Sequence, residues 1–233
     1  MENNKRMIFS NQGHSLRLRQ TEPEDAPTLL GAYQDESFIR LYHSNNIPLT
    51  QEQLANRLAE QDPVELGFVE FMIEHKKYGA IGVAVLGDYS PVHKRAEYLI
   101  GLFEEKHRSR GYGTEASLLV LDLAFNIYHL HKIYTYVYDY NKLSQKNTLK
   151  FGFKQEGILE EHHYLVQEKR FVNLYVNGMT EARFRNNEKI RRYSLRLLGR
   201  DVTQAYEVIE LSSDNQLPNE MGKNFLEGWL AQH

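Results

Sequence analysis

The sequence predicts a mixed α/β (α+β) domain rather than a regularly wound βαβ fold, and three observations carry that expectation. Segments that alternate apolar and polar residues are interleaved with apolar stripes at helical spacing. Their order reads β-α-α-β-β-β-α-β-α-β-β, so strands follow one another directly in both halves of the chain. The run "ELGFVEFMIEHKKYGAIGVAVLGDY" reads as a hairpin turning near Lys77 to Gly79, which makes part of the sheet antiparallel. At 233 residues, with 41% apolar and 25% charged residues, the chain suits one ordinary domain, or one domain with an appendage.

In chain order, "SLRLRQ" alternates as a strand that ends at Thr21. "TEPEDAPTLLGAYQ" then opens a helix, with Thr21 at capping-box spacing from Glu24 and Pro23 in the first turn. "TQEQLANRLAEQ" repeats the device, with Thr50 as cap and Leu54 and Leu58 on one face. After the hairpin, "RAEYLIGLF" is a strand. "GYGTEASLLVLDLAFNIYHL" carries a helical stripe through Ala116, Leu119, Leu123 and Ile127. "KIYTYVYD" is a strand and "NKLSQKNTLKFG" a short helix closed by Gly152, and "FKQEGILEE" and "KRFVNLYVNG" are the last two strands. The aromatic, turn-rich segment 32–48, together with 158–172, has the character of substrate loops.

Composition excludes several function classes. A formal net charge of −3 provides no general basic field for nucleic acid. The absence of cysteine removes disulfides, thiolate metal sites and a cysteine nucleophile, and suits a reducing, cytoplasmic setting. "MENNKRMIFSNQGHS" has no signal-like apolar core, and no run is long enough to span a bilayer. The expected protein is cytoplasmic, monomeric or homodimeric, and without a membrane span.

"RSRGYGTEA", residues 108–116, puts two glycines one residue apart immediately before an apolar helix. Glycines allow close approach to the backbone, and a helix start offers unpaired N–H groups to an anion. A Walker loop would need a Lys-Ser/Thr pair that is missing. Gly111, Gly113 and Ala116 fit a dinucleotide fingerprint with Asp139 further on, but "EEKHRSR" separates the first glycine from its strand, against that reading.

Arg108-Ser109-Arg110-Gly111-Tyr112-Gly113 also fits R/Q-x-x-G-x-G, and a second motif follows at the right distance. "NKLSQKNTLKFGFKQEG" contains N-x-x-S…K-x-G-F-x-x-E-G at Asn141, Ser144, Lys150, Gly152, Phe153, Glu156 and Gly157. On these motifs residues 15–180 resemble the GNAT acyltransferases, in the branch similar to ribosomal-protein N-acetyltransferases. "LRLRQTEPEDA" and "AEYLIGLF" resemble that branch's first strand and helix and its fourth strand.

The resemblance implies a GNAT fold, a mixed and mostly antiparallel sheet of six to seven strands with splayed fourth and fifth strands and helices on both faces. It further implies an acyl-CoA co-substrate, acetyl-CoA or a longer acyl-CoA, with no metal. Leu102 and Phe103 would bind pantetheine through their backbone. Arg108, Ser109, Arg110, Gly111, Tyr112, Gly113 and Thr114 would hold the pyrophosphate, with Asn141, Ser144 and Lys150 also on the cofactor. An amine of a small molecule, peptide or protein would attack the thioester directly. Ser144 is then the candidate acid for the leaving thiolate, with a plain surface hydroxyl as the alternative. Asn141 is a positioning group or a helix N-cap. Glu97 is the candidate base, against a water relay or His107, whose simpler reading is an exposed loop histidine.

Two further functions stay open at this stage. Small residues Gly82, Ala84 and Gly101 on strands near the splay could border a tunnel for a medium or long acyl chain, or simply mark close packing. The domain could also bind acyl-CoA without catalysis. Tyr134, Tyr136, Tyr138 and Tyr140 read as sheet packing, with Tyr138 or Tyr140 bordering the acceptor. His129, His131, His162 and His163 lack a carboxylate at ligand spacing. Beyond an acyltransferase domain at 1–180, residues 181–233 read as an extension packed on it. Its basic first part (Arg183, Arg185, Lys189, Arg191, Arg192, Arg196, Arg200) faces an acidic second part, which predicts an internal salt-bridged face.

Overall fold

The computed structural model describes residues 10–205, apart from 43–48, 60–65, 109 and 167. Eight strands form one sheet: β1 (Ser10–Gln12), β2 (Leu16–Gln20), β3 (Val69–His75), β4 (Gly79–Ser90), β5 (Arg95–Leu102), β6 (Lys132–Tyr138), β7 (Lys154–Leu165) and β8 (Arg170–Thr180). Their spatial order is β1-β2-β3-β4-β5-β6-β8-β7. Every neighbouring pair is antiparallel except β5 and β6, which run parallel. Seven strands are the ones read from sequence. The eighth, β1, is a three-residue piece too short to show a period, and it pairs with β2 from Ser10 opposite Arg19 to Gln12 opposite Arg17.

The parallel pair sets up the site. β5 and β6 are in register only at Arg95 with Lys132, Ala96 with Ile133 and Glu97 with Tyr134. β5 then continues to Leu102, hydrogen-bonded to β4, while β6 continues to Tyr138, bonded to β8. The sheet therefore opens into a V whose vertex is Glu97, and the expected splay falls at this pair.

The helices are α1 (Ala26–Gln34), α2 (Glu36–Ile39), α3 (Gln51–Ala59), α4 (Tyr112–Asp122), α5 (Lys142–Phe151), α6 (Glu181–Arg185) and α7 (Glu188–Leu198). α4 lies on one face, burying Ala116, Leu118, Leu119, Val120 and Leu121 against Leu16, Phe71, Ile73, Ala96 and Ile133. The predicted stripe continues through Leu123 and Ile127 in a single π-helical turn, Leu123–Ile127. The opposite face is covered by α1–α3, whose Leu29, Phe38, Leu54 and Leu58 pack with Met72 and Val83. Successive residues of a strand point to opposite faces, which is why Phe71 and Met72 serve different cores. Phe184, Ile190 and Val202 join the α4 core, so residues 181–205 share it with the preceding chain.

Two helix starts differ in outcome. Thr50 caps α3 as expected, accepting from Gln53 N at 3.2 Å while Gln53 Oε1 accepts from Thr50 N at 2.9 Å. Thr21 does not cap with Glu24. It is buried, and its hydroxyl donates to Glu70 O at 3.3 Å. The overlapping pair one residue on takes the role, Asp25 accepting from Glu22 N at 2.8 Å, with Arg19 holding the Asp25 carboxylate at 2.6 Å.

Candidate active site

A cleft of about 640 Å³ occupies the V and reaches both faces of the sheet. On the α4 side it is lined by Arg108, Gly111, Gly113, Thr114 and Ser117, then by Asn141, Ser144, Asn147 and Lys150 of α5 and its cap. On the other side the walls are Phe38, Leu41, Tyr42, Leu99, Tyr136 and Tyr138.

The glycine loop is shaped by its backbone. Gly111 is the N-cap of α4 with φ +87, a left-handed conformation that a side chain would strain. A Cβ at Gly113 would meet no atom within 4 Å, so this glycine leaves open space at the helix start. The first N–H groups of α4 have no intrahelical partner and face this space with the positive end of the helix dipole.

Asn141 caps α5, its Oδ1 accepting from Ser144 N at 3.1 Å, so the cap reading of Asn141 is realised and Asn141 and Ser144 share one turn on the cleft wall. The helix is fixed from behind by an amide exchange. Gln145 Nε2 donates to Asn177 Oδ1 at 2.9 Å, and Asn177 Nδ2 donates back to Gln145 Oε1 at 2.9 Å. Nothing in the sequence motif pointed to Asn177, thirty-two positions away.

Glu97 points to the face of Tyr42, Tyr136 and Tyr138. Its Oε1 is buried without a hydrogen-bond partner, and burial together with the negative charge of Asp88 pushes its carboxyl up to about 7. Burial and then the Glu97 charge hold the Tyr136 phenol above its usual range. Asp88 sits at the β4 irregularity with φ +42, accepts from the Tyr134 hydroxyl and pairs with Arg95 at 3.1 Å. A carboxyl titrating near neutrality at the vertex of the V is suited to take a proton.

Other expected residues lie elsewhere. Leu102 lines the cleft, but Phe103 donates its N–H to Ile81 O at 2.9 Å and packs edge-on to Phe38, so that amide is engaged within the sheet. Tyr112 turns from the cleft towards His75, with ring centroids 4.8 Å apart, and Arg110 is exposed outside it. Ser109 lies outside the described residues. His107 is not the exposed loop residue expected. It is 4% exposed, beside Tyr78 and Tyr112, and burial holds its imidazole below the usual range. Asp139 accepts from Asn173 N at 3.2 Å and so ties down β8. Among the described residues no three His, Asp or Glu side chains converge as metal ligands, and no helix is long and apolar enough to cross a membrane.

The two segments expected as substrate loops are largely regular structure, 158–172 being the ends of β7 and β8 with the turn between them and 32–39 lying mostly in α1 and α2, and they meet over the aromatic end. Arg40 pairs with Glu168 at 2.9 Å, Arg170 pairs with the same carboxylate at 2.7 Å, and both guanidinium groups lie over the Tyr140 ring. Tyr140 donates to Arg40 O at 2.6 Å. Residues 43–48 of the first loop are outside the described residues. The small strand residues serve close packing: a Cβ on Gly101 would lie 2.5 Å from Phe38 Cε2, and one on Gly82 would lie 2.4 Å from Gly101 O.

Comparison with known proteins agrees with this geometry. The model of the Acetyltransferase (GNAT) domain family matches residues 15–154. The chain is 26% identical over 166 residues to the uncharacterized N-acetyltransferase YoaA of Bacillus subtilis, covering 69% of this chain and 91% of that protein. It is 30% identical over 95 residues to a spermidine N(1)-acetyltransferase of Vibrio cholerae, covering 41% and 54% of the two chains. A crystal structure of spermidine N-acetyltransferase from Vibrio cholerae in complex with CoA and spermine is similar in fold, with a TM-score of 0.64 at 21% identity, covering 72% of this chain and 97% of that one.

Proposed function

The chain belongs to the GNAT acetyltransferase family and is an N-acyltransferase, and from that premise we propose that it transfers acetyl from acetyl-CoA to a primary amine on a small cationic molecule. The observation that carries the proposal is the two-sided cleft at the splay. Its α4 side presents a glycine loop, a helix start and the Arg108 cation, which suits a pyrophosphate. Its other side is an aromatic box of Tyr42, Tyr136 and Tyr138 beside Glu97, which suits an ammonium ion through ring faces and a carboxylate.

In the proposed reaction Glu97, directly or through one water, takes a proton from the bound ammonium. The free amine nitrogen attacks the thioester carbonyl carbon, forming the new C–N bond. The tetrahedral intermediate collapses with cleavage of the C–S bond, and the Ser144 hydroxyl gives its proton to the departing thiolate, to be replenished by the amine's second proton through solvent. Asn141 holds Ser144 in place through the cap. Proximity accounts for much of the acceleration, because two reactants are held in one cleft.

Acetyl is favoured over longer chains because a Cβ at Gly101 or Gly82 would already meet Phe38 or Gly101 O, so these glycines serve close packing rather than added width in the cleft. The acidic total charge and the relatives that carry spermidine in their names support a polyamine over a protein N-terminus. The catalytic unit of this reading is residues 1–180, with 181–233 an extension of which 181–205 share its core through Phe184 and Ile190, while the acidic part from 206 onward lies outside the described residues.

The test is steady-state acetylation of a panel of spermidine, putrescine, a lysine-containing peptide and a neutral-tailed alkylamine, with acetyl-CoA and decanoyl-CoA as donors. Turnover greatest with spermidine and acetyl-CoA is expected. Turnover only with decanoyl-CoA would replace the reading by lipid transfer, and CoA binding without turnover of any amine would leave a binding module.

A further inference from the structure

Within the cofactor reading just proposed, one wall of the cleft comes from outside the family-matched segment. Lys189 and Tyr193 of α7 line it, thirty-five residues and more beyond the end of the match at residue 154. α7 is docked there by specific contacts. Lys189 Nζ donates to Lys150 O and Asn187 Nδ2 donates to Phe151 O at 3.4 Å, both at the last turn of α5. Gly152 makes room for this docking, since a Cβ there would lie 2.1 Å from Asn187 Nδ2.

The charge of the lining is one-sided. Arg108, Lys150 and Lys189 line the cleft, and no aspartate or glutamate among the described residues does, Glu97 standing beside the aromatic wall without lining it, in a chain whose net charge is −3. The cations are spread along the cleft. Arg108 precedes the glycine loop at the start of α4, whereas Lys150 and Lys189 stand at the far end of α5. α5 spans ten residues, about 15 Å, from the Asn141–Ser144 turn to Phe151. An acyl-CoA whose thioester sits at Ser144 and whose pyrophosphate sits at the glycine loop leaves its nucleotide end to the rest of the cleft, whose remaining cationic wall is Lys150 and Lys189. Tyr193 presents a half-buried ring there, with Lys189 Nζ 5.9 Å and the Arg196 guanidinium 5.1 Å from its centroid.

We infer that α7 supplies a subsite for the nucleotide end of coenzyme A, with Lys189 binding the ribose 3′-phosphate and Tyr193 supporting the adenine. Lys189 has donors left after its bond to Lys150 O, because an ammonium carries three. Lysine acts on phosphate as a point charge, and an aromatic face accepts a purine by stacking. The protein thus distinguishes CoA from the same molecule lacking its 3′-phosphate, using a helix that lies beyond the glycine-loop motif.

The experiment is calorimetric titration of the full chain with CoA and with 3′-dephospho-CoA, in wild type, Lys189→Met, Tyr193→Leu and, as a control on α6, Arg183→Met. Wild type is expected to prefer CoA by roughly tenfold to a hundredfold, the range for a hydrogen bond to a charged group. Lys189→Met should bring CoA down to the dephospho level without changing the latter, Tyr193→Leu should weaken both alike, and Arg183→Met should change neither. Equal affinities in wild type, or an equal loss of both ligands in Lys189→Met, would overturn the subsite while leaving CoA as cofactor. Failure of both molecules to bind wild type would instead overturn the cofactor reading itself.

Discussion

Replacing Glu97 by glutamine should make the protein more stable and less active at the same time, and the stability part depends on pH in a defined way. The Glu97 carboxyl ionises at about 7 in the folded chain against 4.5 for an unperturbed one, because burial and then Asp88 disfavour its charge. Below 4.5 both folded and unfolded states carry the proton, and the residue has no effect on stability. Between 4.5 and 7 only the folded state carries it, so wild-type stability falls as pH rises. Above 7 the loss is complete at about 3 kcal/mol, from 1.36 kcal/mol per pH unit. Glu97→Gln removes this loss but keeps a half-buried polar group, which leaves a net gain of about 1–3 kcal/mol at pH 8. For a chain of this size that is about 3–10 °C in Tm. The assay is thermal denaturation of both proteins from pH 4.5 to 8.5, with the Tm difference plotted against pH. It should grow through the interval and level off above pH 7. In parallel, turnover should fall by about a hundredfold or more, the usual loss of a general base. A Tm difference that does not vary with pH would show that Glu97 ionises normally, and the argument for it as the base would fall.

Four further outcomes follow from the same geometry. Ser144→Ala should lower turnover about tenfold to a hundredfold while leaving the CoA Kd within about twofold, and a change confined to the Kd would remove Ser144 as the acid. Asn141→Ala should cost about 1 kcal/mol in chemical denaturation through loss of the α5 cap, together with reduced turnover. Gly101→Ala places a Cβ 2.5 Å from the Phe38 ring and 2.7 Å from Tyr42, so acceptor KM should rise about tenfold, the effect of about 1–3 kcal/mol of overpacking, with CoA affinity retained. Gly152→Ala combines φ +110 with a contact 2.1 Å from Asn187, and should destabilise by about 2–4 kcal/mol in urea unfolding.

What could be read from the sequence was what repeats at a local period or is written in consecutive residues. The stripe Ala116, Leu119, Leu123, Ile127 shows α4 because each of its members is buried against the sheet. The Asn141 cap is local too, since donor and acceptor are three residues apart. Thr21 misled because two capping spacings overlap by one residue, and the choice was made by Glu70 O, forty-nine positions away. The loop 108–114 was legible as an anion cradle, but not which of its side chains face away, because Tyr112 is drawn out by His75 from another strand. His107 looked exposed for the same reason, since Tyr78, which stacks on it, comes from the distant β3–β4 turn. Lys189 and Tyr193 were the least visible, because no motif links a helix in the extension to a cofactor loop eighty residues earlier.

Asp122 gives the C-terminal segment a second hold on the molecule. Its side chain is fully buried at the end of α4, where it accepts from Asn11 at 3.0 Å and Asn126 at 2.8 Å and pairs with Arg200 at 2.6 Å. Arg185 reaches into the same network through Asn126, Phe125 O and Thr203 O. A chain ended at residue 180 would take Arg200 away from the buried Asp122 carboxylate. Removing one partner of such a buried pair costs about 3–5 kcal/mol, a large part of a domain's whole stability margin. The limits of homology and the limits of the cooperative folding unit therefore do not coincide here. A shortened protein that shows no acetyltransferase activity would be reporting on a carboxylate deprived of Arg200 and on a core stripped of Phe184, Ile190 and Val202, so what α7 does for the cofactor is read from substitutions on its cleft-facing side chains rather than from truncation.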